Sequence, residues 1–405
     1  MKPKPKATEK HSTSEILRFA HPFFTTVPID QRPQIEGIGN RMTDYVQTQL
    51  EPIPDPIRNP TMMLAEIIGD EGVAEVEQSG QLIFHSVGDT GTNGSAIQQA
   101  VADAMTADYN IAQPELSPAF FFHLGDVDYY NNTDKGYNEQ FYEPYRTYPG
   151  KIIAIPGNHD GELFKYDGTS TGQTVTLQEF QANFCQPVTG VPTAAGTIYR
   201  EMISQPGVYW YLNAPFIDII GLYSNVAENP GYISGPTIGT AQKDWFTQTL
   251  KNILAARNTG VRKALLIATH HPPFSAGSHS SSTDMLIDID DSCTQAGIMP
   301  DAFLSGHSHN IQCYTRYVTF NGNNLVIPYI ISGGGGRPVT NVPSANGVKV
   351  ADSTTLPSSH TFDKSAKSYG YSTVTVTAQQ LSIAITTVDE NGTKNLFDTI
   401  NVPLM

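Results

Sequence analysis

The chain has 405 residues, of which 39% are hydrophobic, so it is long enough for one large domain or two smaller ones with a sizeable core. Its formal net charge is -15, from 39 acidic and 24 basic side chains. We therefore expect no binding to a nucleic-acid backbone, because such binding needs a surplus of basic residues. The negative charge does not argue against a small anionic substrate, since the charge of a local metal ion would hold one. No apolar run of about 18 residues occurs, so we expect no membrane span.

Cysteine usage and the N-terminal segment bear on the cellular compartment. The three cysteines are odd in number and include no Cys-x-x-Cys pair, which indicates free thiols rather than a disulfide framework or a zinc knuckle. The basic N-terminal segment is not followed by an apolar stretch, so the sequence shows no secretory signal. We expect a cytoplasmic rather than a secreted protein, unless a signal peptide has been removed.

Residues 1–78 are predicted to form an N-terminal extension that is partly disordered. Its Lys/Pro-rich start, residues 1–12, is typical of a disordered tail. Further on, Asn59 followed by Pro60 is typical of a helix start, so we predict a helix that runs through Ile67. The main domain is predicted to span residues 79–405.

Within the main domain, predicted strands alternate with predicted helices, which indicates a mostly parallel sheet with helices outside it. The predicted strands of this part cover 81–87, 119–124, 152–155, 208–212, 216–223, 263–269, 302–305 and 325–332, and the helices cover 95–109, 137–146 and 240–257. Residues 161–205 and 337–369 have the composition of loops. Three alternating strands are predicted at 373–377, 380–387 and 396–402. The four glycines 333–336 favour a tight backbone passage near the site over a phosphate-binding loop, because no Lys-Ser/Thr pair or helix follows.

Five of these strands end in polar side chains. We expect the strand ends to converge at one edge of one sheet, where open α/β sheets bind ligands. The residues are aspartate, asparagine, histidine and tyrosine without cysteine, a set suited to iron, manganese or zinc. They outnumber the ligands of one ion, so two ions that share a carboxylate fit better. The set is Asp89, Asp126, Tyr129, Asn158, His159, His270, His307 and His309.

These stretches resemble the five motifs of purple acid phosphatases, a branch of the calcineurin-like metallophosphoesterases. The motifs are Gly88-Asp89-Thr90-Gly91, Gly125-Asp126-x-x-Tyr129, Gly157-Asn158-His159-Asp160, Ile267-x-x-His270 and Gly306-His307-x-His309. The resemblance covers residues 80–335. Most related phosphoesterases have Asp-x-His in the first motif, whereas here Gly91 stands at the histidine position and Tyr129 offers a replacement ligand. This exchange points to the purple branch.

The resemblance implies an α/β fold (α+β in some schemes), a metallophosphoesterase-type four-layer sandwich of two mixed sheets flanked by helices. It also implies a binuclear metal centre in the domain at 79–405. One ion, Fe(III), would be held by Asp89, Tyr129, His309 and a bridging Asp126. The second ion, Zn(II), Mn(II) or Fe(II), would be held by Asp126, Asn158, His270 and His307.

The implied activity is hydrolysis of small phosphate monoesters by a metal-bound hydroxide. A trivalent ion should lower the pKa of bound water more than a divalent one, which predicts an acid pH optimum. His159 resembles the family's phosphate-binding or leaving-group-protonating histidine, and His279 is similar in spacing to a substrate-loop histidine. Both are our candidates for catalysis, although His279 is also consistent with a solvated loop residue and Tyr129 with an ordinary half-buried tyrosine.

Two other functions stay open on the sequence. A phosphodiesterase or nucleotide phosphatase would use the same metal pair. The motif residues do not separate these activities, because we expect specificity to lie in the loops 161–205, 228–240 and 273–292. A non-catalytic metal-binding scaffold is a more distant alternative, and the intact His159 argues against it. The natural substrate, the oligomeric state and the role of residues 1–78 are not encoded in any pattern of the sequence.

Overall fold

The computed structural model describes residues 50–92, 94–110, 112–165, 168–260 and 262–404. The predicted tail at residues 1–12 lies outside them. Within the described residues, no helix is both long enough and apolar enough to cross a membrane.

The described residues form 15 strands and seven α-helices in the following chain order. The strands are β1 (Thr61–Met63), β2 (Gln81–Val87), β3 (Phe120–His123), β4 (Lys151–Ala154), β5 (Trp210–Asn213), β6 (Ile217–Leu222), β7 (Ala264–Thr269), β8 (Ala302–Ser305), β9 (Ile311–Phe320), β10 (Asn323–Ser332), β11 (Lys349–Ala351), β12 (Ser358–Ala366), β13 (Tyr369–Thr377), β14 (Gln380–Val388) and β15 (Lys394–Pro403). The helices are α1 (Ala65–Ser79), α2 (Ala96–Thr106), α3 (Asp134–Tyr137), α4 (Asn158–Gly161), α5 (Gln178–Phe184), α6 (Ala241–Arg257) and α7 (Thr283–Ala296).

Two mixed sheets form the centre of the described fold. The larger has nine strands in the order β1-β5-β6-β7-β8-β10-β9-β12-β11, and the smaller has six in the order β15-β14-β13-β2-β3-β4. The strands β2, β3 and β4 are mutually parallel, and so are β6, β7 and β8. These parallel groups are buried on both faces, which explains why their sequences are apolar without alternation.

The core consists of three apolar layers. Between the sheets, Phe84 and Phe122 of the smaller sheet pack in one cluster with Leu266 and Leu304 of the larger sheet. The adjacent residue Phe121 points the other way and packs in a cluster with α2 and α5. On the outer face of the larger sheet, β7 and β8 pack against α6 and α7. The molecule is therefore a four-layer sandwich of two mixed sheets flanked by helices, which confirms the predicted fold class.

Several sequence predictions of local structure are wrong. Residues 61–63 form β1, an edge strand parallel to β5, and the helix begins only at Ala65, so sheet pairing overrides the helix-start signal at Asn59. Residues 337–369 contain β11 and β12, which pair with each other, and β12 also pairs antiparallel with β9, about 40 positions earlier in the chain. The predicted helix at 137–146 is a short α3 continued by a π-helical turn, Asn138–Tyr142. The helix α7 was not predicted.

The polar strand ends come from two sheets and not from one. Asp89, Asp126 and Asn158 follow β2, β3 and β4 of the smaller sheet, whereas His270 and His307 follow β7 and β8 of the larger one. The expectation of a single sheet edge is therefore wrong. Because the two sheets are stacked with these carboxyl ends on the same side, their loops meet above the core between them.

Candidate metal centre

The loops of the two sheets are joined by a hydrogen bond at the centre of the site. Nδ1 of His270 lies 2.8 Å from the backbone oxygen of Leu124, at the end of β3. The loop after β8 is attached in turn to the loop after β2, because the backbone amide of His307 donates to Oδ2 of Asp89 over 2.7 Å. The site is therefore built from both halves of the fold.

Three of the predicted ligands have a left-handed backbone, which is rare for residues other than glycine. Their φ angles are 57° at Asp89, 55° at Asp126 and 68° at His307. Such conformations carry strain and occur where the surrounding structure imposes them, often at functional sites. Here they turn each chain sharply at a strand end and direct the side chains inward.

Glycines beside the ligands are required by close approach. A Cβ atom at Gly306 would lie 2.7 Å from Oδ2 of Asp89, and one at Gly125 would lie 2.7 Å from Nδ1 of His270. A Cβ at Gly157 would collide with the Asp126 carboxylate. The glycines of the motifs therefore leave room for the ligating groups.

One group of ligands consists of Asp89, Asp126 and His309, each with one donor atom within 4.8 Å of the others. The phenol oxygen of Tyr129 belongs to the same group, since it lies 3.1 Å from Oδ1 of Asp89 and 3.1 Å from Nε2 of His309. This arrangement offers two carboxylates, one imidazole and one phenol to a cation.

A second group consists of Asp126, His270 and His307, again within 4.8 Å. Oδ1 of Asn158 lies 3.2 Å from Nε2 of His270 and completes the group. Asp126 is common to both groups. The structure thus brings all seven predicted metal ligands together in two sets that share one carboxylate.

The donor set fits a pair of cations. Oδ2 of Asp126 is buried and makes no hydrogen bond, although Nε2 of His270 lies 3.3 Å away. A buried carboxylate oxygen without a hydrogen bond is costly, and a metal ion is one of the partners that satisfies it. Because Nδ1 of His270 is engaged by Leu124, its Nε2 faces the site, as in a metal-binding histidine held by a second hydrogen bond.

Gly91 leaves room for the ring of Tyr129. A Cβ atom at Gly91 would lie 2.7 Å from the backbone oxygen of Val127 and 2.9 Å from Cδ2 of Tyr129. The Tyr129 ring therefore fills the space that a side chain at position 91 would need. A histidine at position 91 and the observed Tyr129 ring exclude each other.

The ionisation of the site reflects its burial. Burial raises the pKa of Asp89 to about 7. Burial opposes the charged forms of Asp126 and His270 too, but their mutual attraction lowers the pKa of Asp126 below its usual range and raises that of His270 to about 9. Burial raises the pKa of Tyr129 well above its usual value, and the nearby carboxylates of Asp126 and Asp89 raise it further. A cation at these positions would take the place of the protons on His270 and Tyr129.

His159 lies beside the two groups of candidate ligands and is paired with Glu162. Its Nδ1 is 2.9 Å from Oε2 of Glu162, and its ring packs 4.5 Å from the Tyr129 ring. Burial opposes the charge, but Glu162 and Asp126 hold the pKa of His159 well above its usual value. Its acidic neighbours thus favour the protonated form of this buried imidazole.

His279 also reaches the site. Its ring lies 4.4 Å from the ring of His307 and 5.2 Å from that of His309, measured between centroids. Its Nδ1 is buried without a hydrogen bond, and its Nε2 lies 3.6 Å from Oε1 of Glu228. The structure therefore places both predicted catalytic histidines next to the seven ligands.

Sequence reasoning missed three residues of the site. Oε2 of Glu228 lies 3.4 Å from Nδ2 of Asn158 and 4.0 Å from Nε2 of His159, and Oδ1 of Asn229 lies 3.3 Å from Nε2 of His307. Glu162 and Glu228 form a further acidic group with His159. The spacing of Glu162, three residues after His159 on one helical turn, is a signal that would have found it. Glu228 and Asn229 lie in a loop without a motif.

Comparison with known proteins assigns the family. A model of the calcineurin-like phosphoesterase family matches residues 84–310, more than half of the chain. The chain therefore belongs to the calcineurin-like phosphoesterases. Membership indicates a metal-dependent phosphoric ester hydrolase, and the family binds a divalent metal pair, for which the two ligand groups are the candidates.

Comparison with solved structures finds matches at low sequence identity. The structure of PhoD is 11% identical, with a TM-score of 0.42, and the match covers 87% of this chain and 70% of that one. Vps29 from Entamoeba histolytica is 8% identical, with a TM-score of 0.30 and coverage of 80% and 100%. A predicted phosphoesterase from Streptococcus pneumoniae is 10% identical, with a TM-score of 0.30 and coverage of 80% and 98%. No curated protein matches the chain.

Proposed function

We propose that the protein hydrolyses small phosphate monoesters with an acid pH optimum, in the manner of purple acid phosphatases. The observation that carries this proposal is the position of Tyr129, whose phenol oxygen lies 3.1 Å from both Asp89 and His309 in the space left by Gly91. A phenol among hard ligands favours a trivalent ion such as Fe(III) over a second divalent ion. That preference separates the purple branch from phosphoesterases with two divalent ions.

The proposed ligand sets follow the two groups of the site. Asp89, Tyr129 and His309 would hold Fe(III), while Asn158, His270 and His307 would hold Zn(II), Mn(II) or Fe(II), with Asp126 shared. When bound, such a pair supplies an activated water nucleophile and stabilises negative charge on the phosphoryl oxygens. The side chains beside the pair then have to hold the ester and move one proton.

His159 is suited to the proton transfer. Its Nδ1 is held by Glu162 at 2.9 Å, so the ring orientation is fixed, and a raised pKa favours the form in which Nε2 carries a proton for another acceptor. In this role it donates a hydrogen bond to the phosphoryl group or protonates the leaving oxygen.

His279 and Asn158 support anion binding near His159. The carboxylate of Glu228 lies between these residues, 3.6 Å from Nε2 of His279 and 3.4 Å from Nδ2 of Asn158. Nitrogen atoms that surround one carboxylate are also suited to the oxygens of a phosphate. A bound phosphate ester would compete with Glu228 for these donors, so we propose that the Glu228 side chain moves when substrate binds.

The test is the ratio of aryl phosphate monoester to diester hydrolysis, measured from acid to neutral pH on protein purified from metal-supplied cells. We expect a monoester preference with the highest rate at acid pH. A diester preference, or a neutral-to-alkaline optimum, would contradict the proposal and favour a phosphodiesterase with two divalent ions. Protein that contains metal but hydrolyses neither ester would support the scaffold alternative.

A further inference from the structure

Arg337 presents a cation at the edge of the metal centre. Its guanidinium carbon lies 4.1 Å from the centroid of the Tyr129 ring and 5.2 Å from that of Tyr130. Of the seven arginines among the described residues, the other six donate hydrogen bonds from their guanidinium groups. Within the same part of the chain, the guanidinium of Arg337 makes these two ring contacts and no hydrogen bond. In a protein of net charge -15, an arginine whose guanidinium donates no hydrogen bond calls for another explanation.

The backbone holds Arg337 firmly in this place. Its amide donates to the backbone oxygen of Asp89 over 2.9 Å, and two residues earlier Gly335 donates to Gly88 over 3.1 Å. A Cβ atom at Gly336 would lie 2.5 Å from the backbone oxygen of Thr90. The four-glycine run therefore lets the chain lie directly on the loop that carries Asp89, and this close approach sets the position of Arg337.

Tyr130 links Arg337 to the proposed proton donor. Its backbone has a φ of 64°, a left-handed conformation that is a strained one for a bulky residue. This turn places the Tyr130 ring 4.8 Å from the His159 ring, edge to face, while Arg337 lies over it. Arg337 and His159 thus both contact Tyr129 and Tyr130. His159 lies beside the proposed phosphate site, and Arg337 lies at its edge.

The geometry leaves the donors of Arg337 available. A guanidinium that stacks on aromatic rings uses its face, whereas its N–H groups point outward in its plane and match the oxygens of a phosphate or carboxylate. We propose that Arg337 binds a second oxyanion of the substrate, so that the protein prefers phosphate esters bearing a further phosphate or carboxylate group. This inference rests on the proposed phosphatase function, and it makes Arg337 a determinant of substrate choice.

The test is calorimetric binding of three non-hydrolysable ligands to the metal-loaded protein. Methylphosphonate carries one anionic group, phosphonoacetate adds a carboxylate, and methylenediphosphonate adds a second phosphonate. For Arg337→Gln we expect the affinity for the latter two ligands to fall about tenfold or more, because a charge-assisted bidentate pair is lost. Methylphosphonate should change by about twofold at most. A loss confined to one of the two ligands identifies the anion that Arg337 recognises.

Two further variants make the result specific. Arg337→Lys keeps the charge without the planar donor fork and should recover only part of the lost affinity. Arg146→Gln removes an arginine that bonds to Gln99 and to the backbone of Glu143, and it should bind all three ligands normally. Equal losses for all three ligands in Arg337→Gln would overturn the inference, since Arg337 would then act only through Tyr129. Unchanged affinities would overturn it as well.

The proposed function fails in a different way. If the metal-loaded wild-type protein binds none of the three phosphonates, the phosphate site itself is absent and the inference falls with it. If the wild type binds methylphosphonate but gains nothing from a second anionic group, the phosphate site stands and only the role of Arg337 is refuted.

Discussion

The carboxylate of Asp160 accepts a hydrogen bond from the backbone amide of Asp126 over 2.9 Å. The same carboxylate accepts the amides of Gly157 at 2.8 Å, Val127 at 3.1 Å and Asp128 at 3.2 Å. One fully buried side chain therefore ties the loop after β3 to the loop after β4. Because Asp126 is shared by both ligand groups, Asp160 holds the central ligand without touching a metal position itself.

Asp160→Asn is expected to loosen the centre. Asparagine has one acceptor oxygen, and its side-chain NH₂ group would face backbone N–H donors. One or two of these backbone N–H groups would therefore lose their hydrogen-bond acceptor. We expect the free energy of unfolding to fall by about 1–3 kcal/mol and the content of both metals to drop. Denaturant unfolding and elemental analysis measure the two effects. Asp70→Asn, on an exposed residue of α1, is the control, and a variant with wild-type stability and metal content would contradict this role.

Asp126→Asn is expected to remove both metals together. The carboxylate belongs to both ligand groups, and an amide in its place offers one neutral oxygen instead of a charged bridge. Activity should fall by at least about a hundredfold, in line with the loss of both ions. Elemental analysis gives the stoichiometry, with Asp103→Asn on the exposed face of α2 as the control. Retention of two tightly bound ions would exclude Asp126 as the bridge.

The five motifs contain enough information to predict the fold class and to list candidate ligands that the structure brings together. Each motif follows an apolar strand, and that pattern is local in sequence. The joining of two sheets at the site is not local, because it depends on contacts such as the one between His270 and Leu124, which are 146 residues apart. Glu228 and Asn229 were missed for the same reason, since a loop brings them to the site from a stretch without a motif.

The short edge elements could not be predicted either. β1 is a three-residue strand that pairs with β5, about 150 positions later in the chain. The local sequence of β1 favours a helix start. β11 and β12 lie in a stretch of loop-like composition. β12 forms a strand because it pairs antiparallel with β9. Long-range pairing of this kind has no signature in local periodicity.

Tyr129→Phe tests the proposed Fe(III) ligand. Without the phenol oxygen, the visible charge-transfer absorption of the iron-loaded protein should disappear, and Fe(III) should bind more weakly because one anionic ligand is lost. Absorption spectra at matched protein and iron concentrations show the change. Tyr199→Phe, at a side chain that is 86% exposed, should leave the spectrum as it is. A wild-type absorption band in Tyr129→Phe would assign the iron to another ligand set.

A last prediction concerns acid stability away from the metal centre. Asp108 accepts hydrogen bonds from Lys394 at 2.6 Å and Tyr371 at 2.5 Å and lies 3.1 Å from Nε2 of His85. Burial opposes its charge, but these partners lower the pKa of Asp108 to about 2. In the unfolded chain, the pKa of an aspartate carboxylate is about 3.9. A lowered folded pKa means that the stabilisation is fully present above about pH 4 and is lost as the pH falls towards 2.

Asp108→Asn removes this titration, so the difference in the free energy of unfolding between wild type and variant should be constant from neutral pH to about pH 5. It should then shrink as the pH falls through the interval between the two pKa values. Denaturant unfolding at each pH, with both proteins in the metal-free state, keeps the metal ligands from contributing to the difference. Asp103→Asn, at an exposed position of the neighbouring helix, is the control variant. A difference that grows on acidification would mean that Asp108 is better stabilised when protonated, and would refute the assignment of its three partners as charge-stabilising.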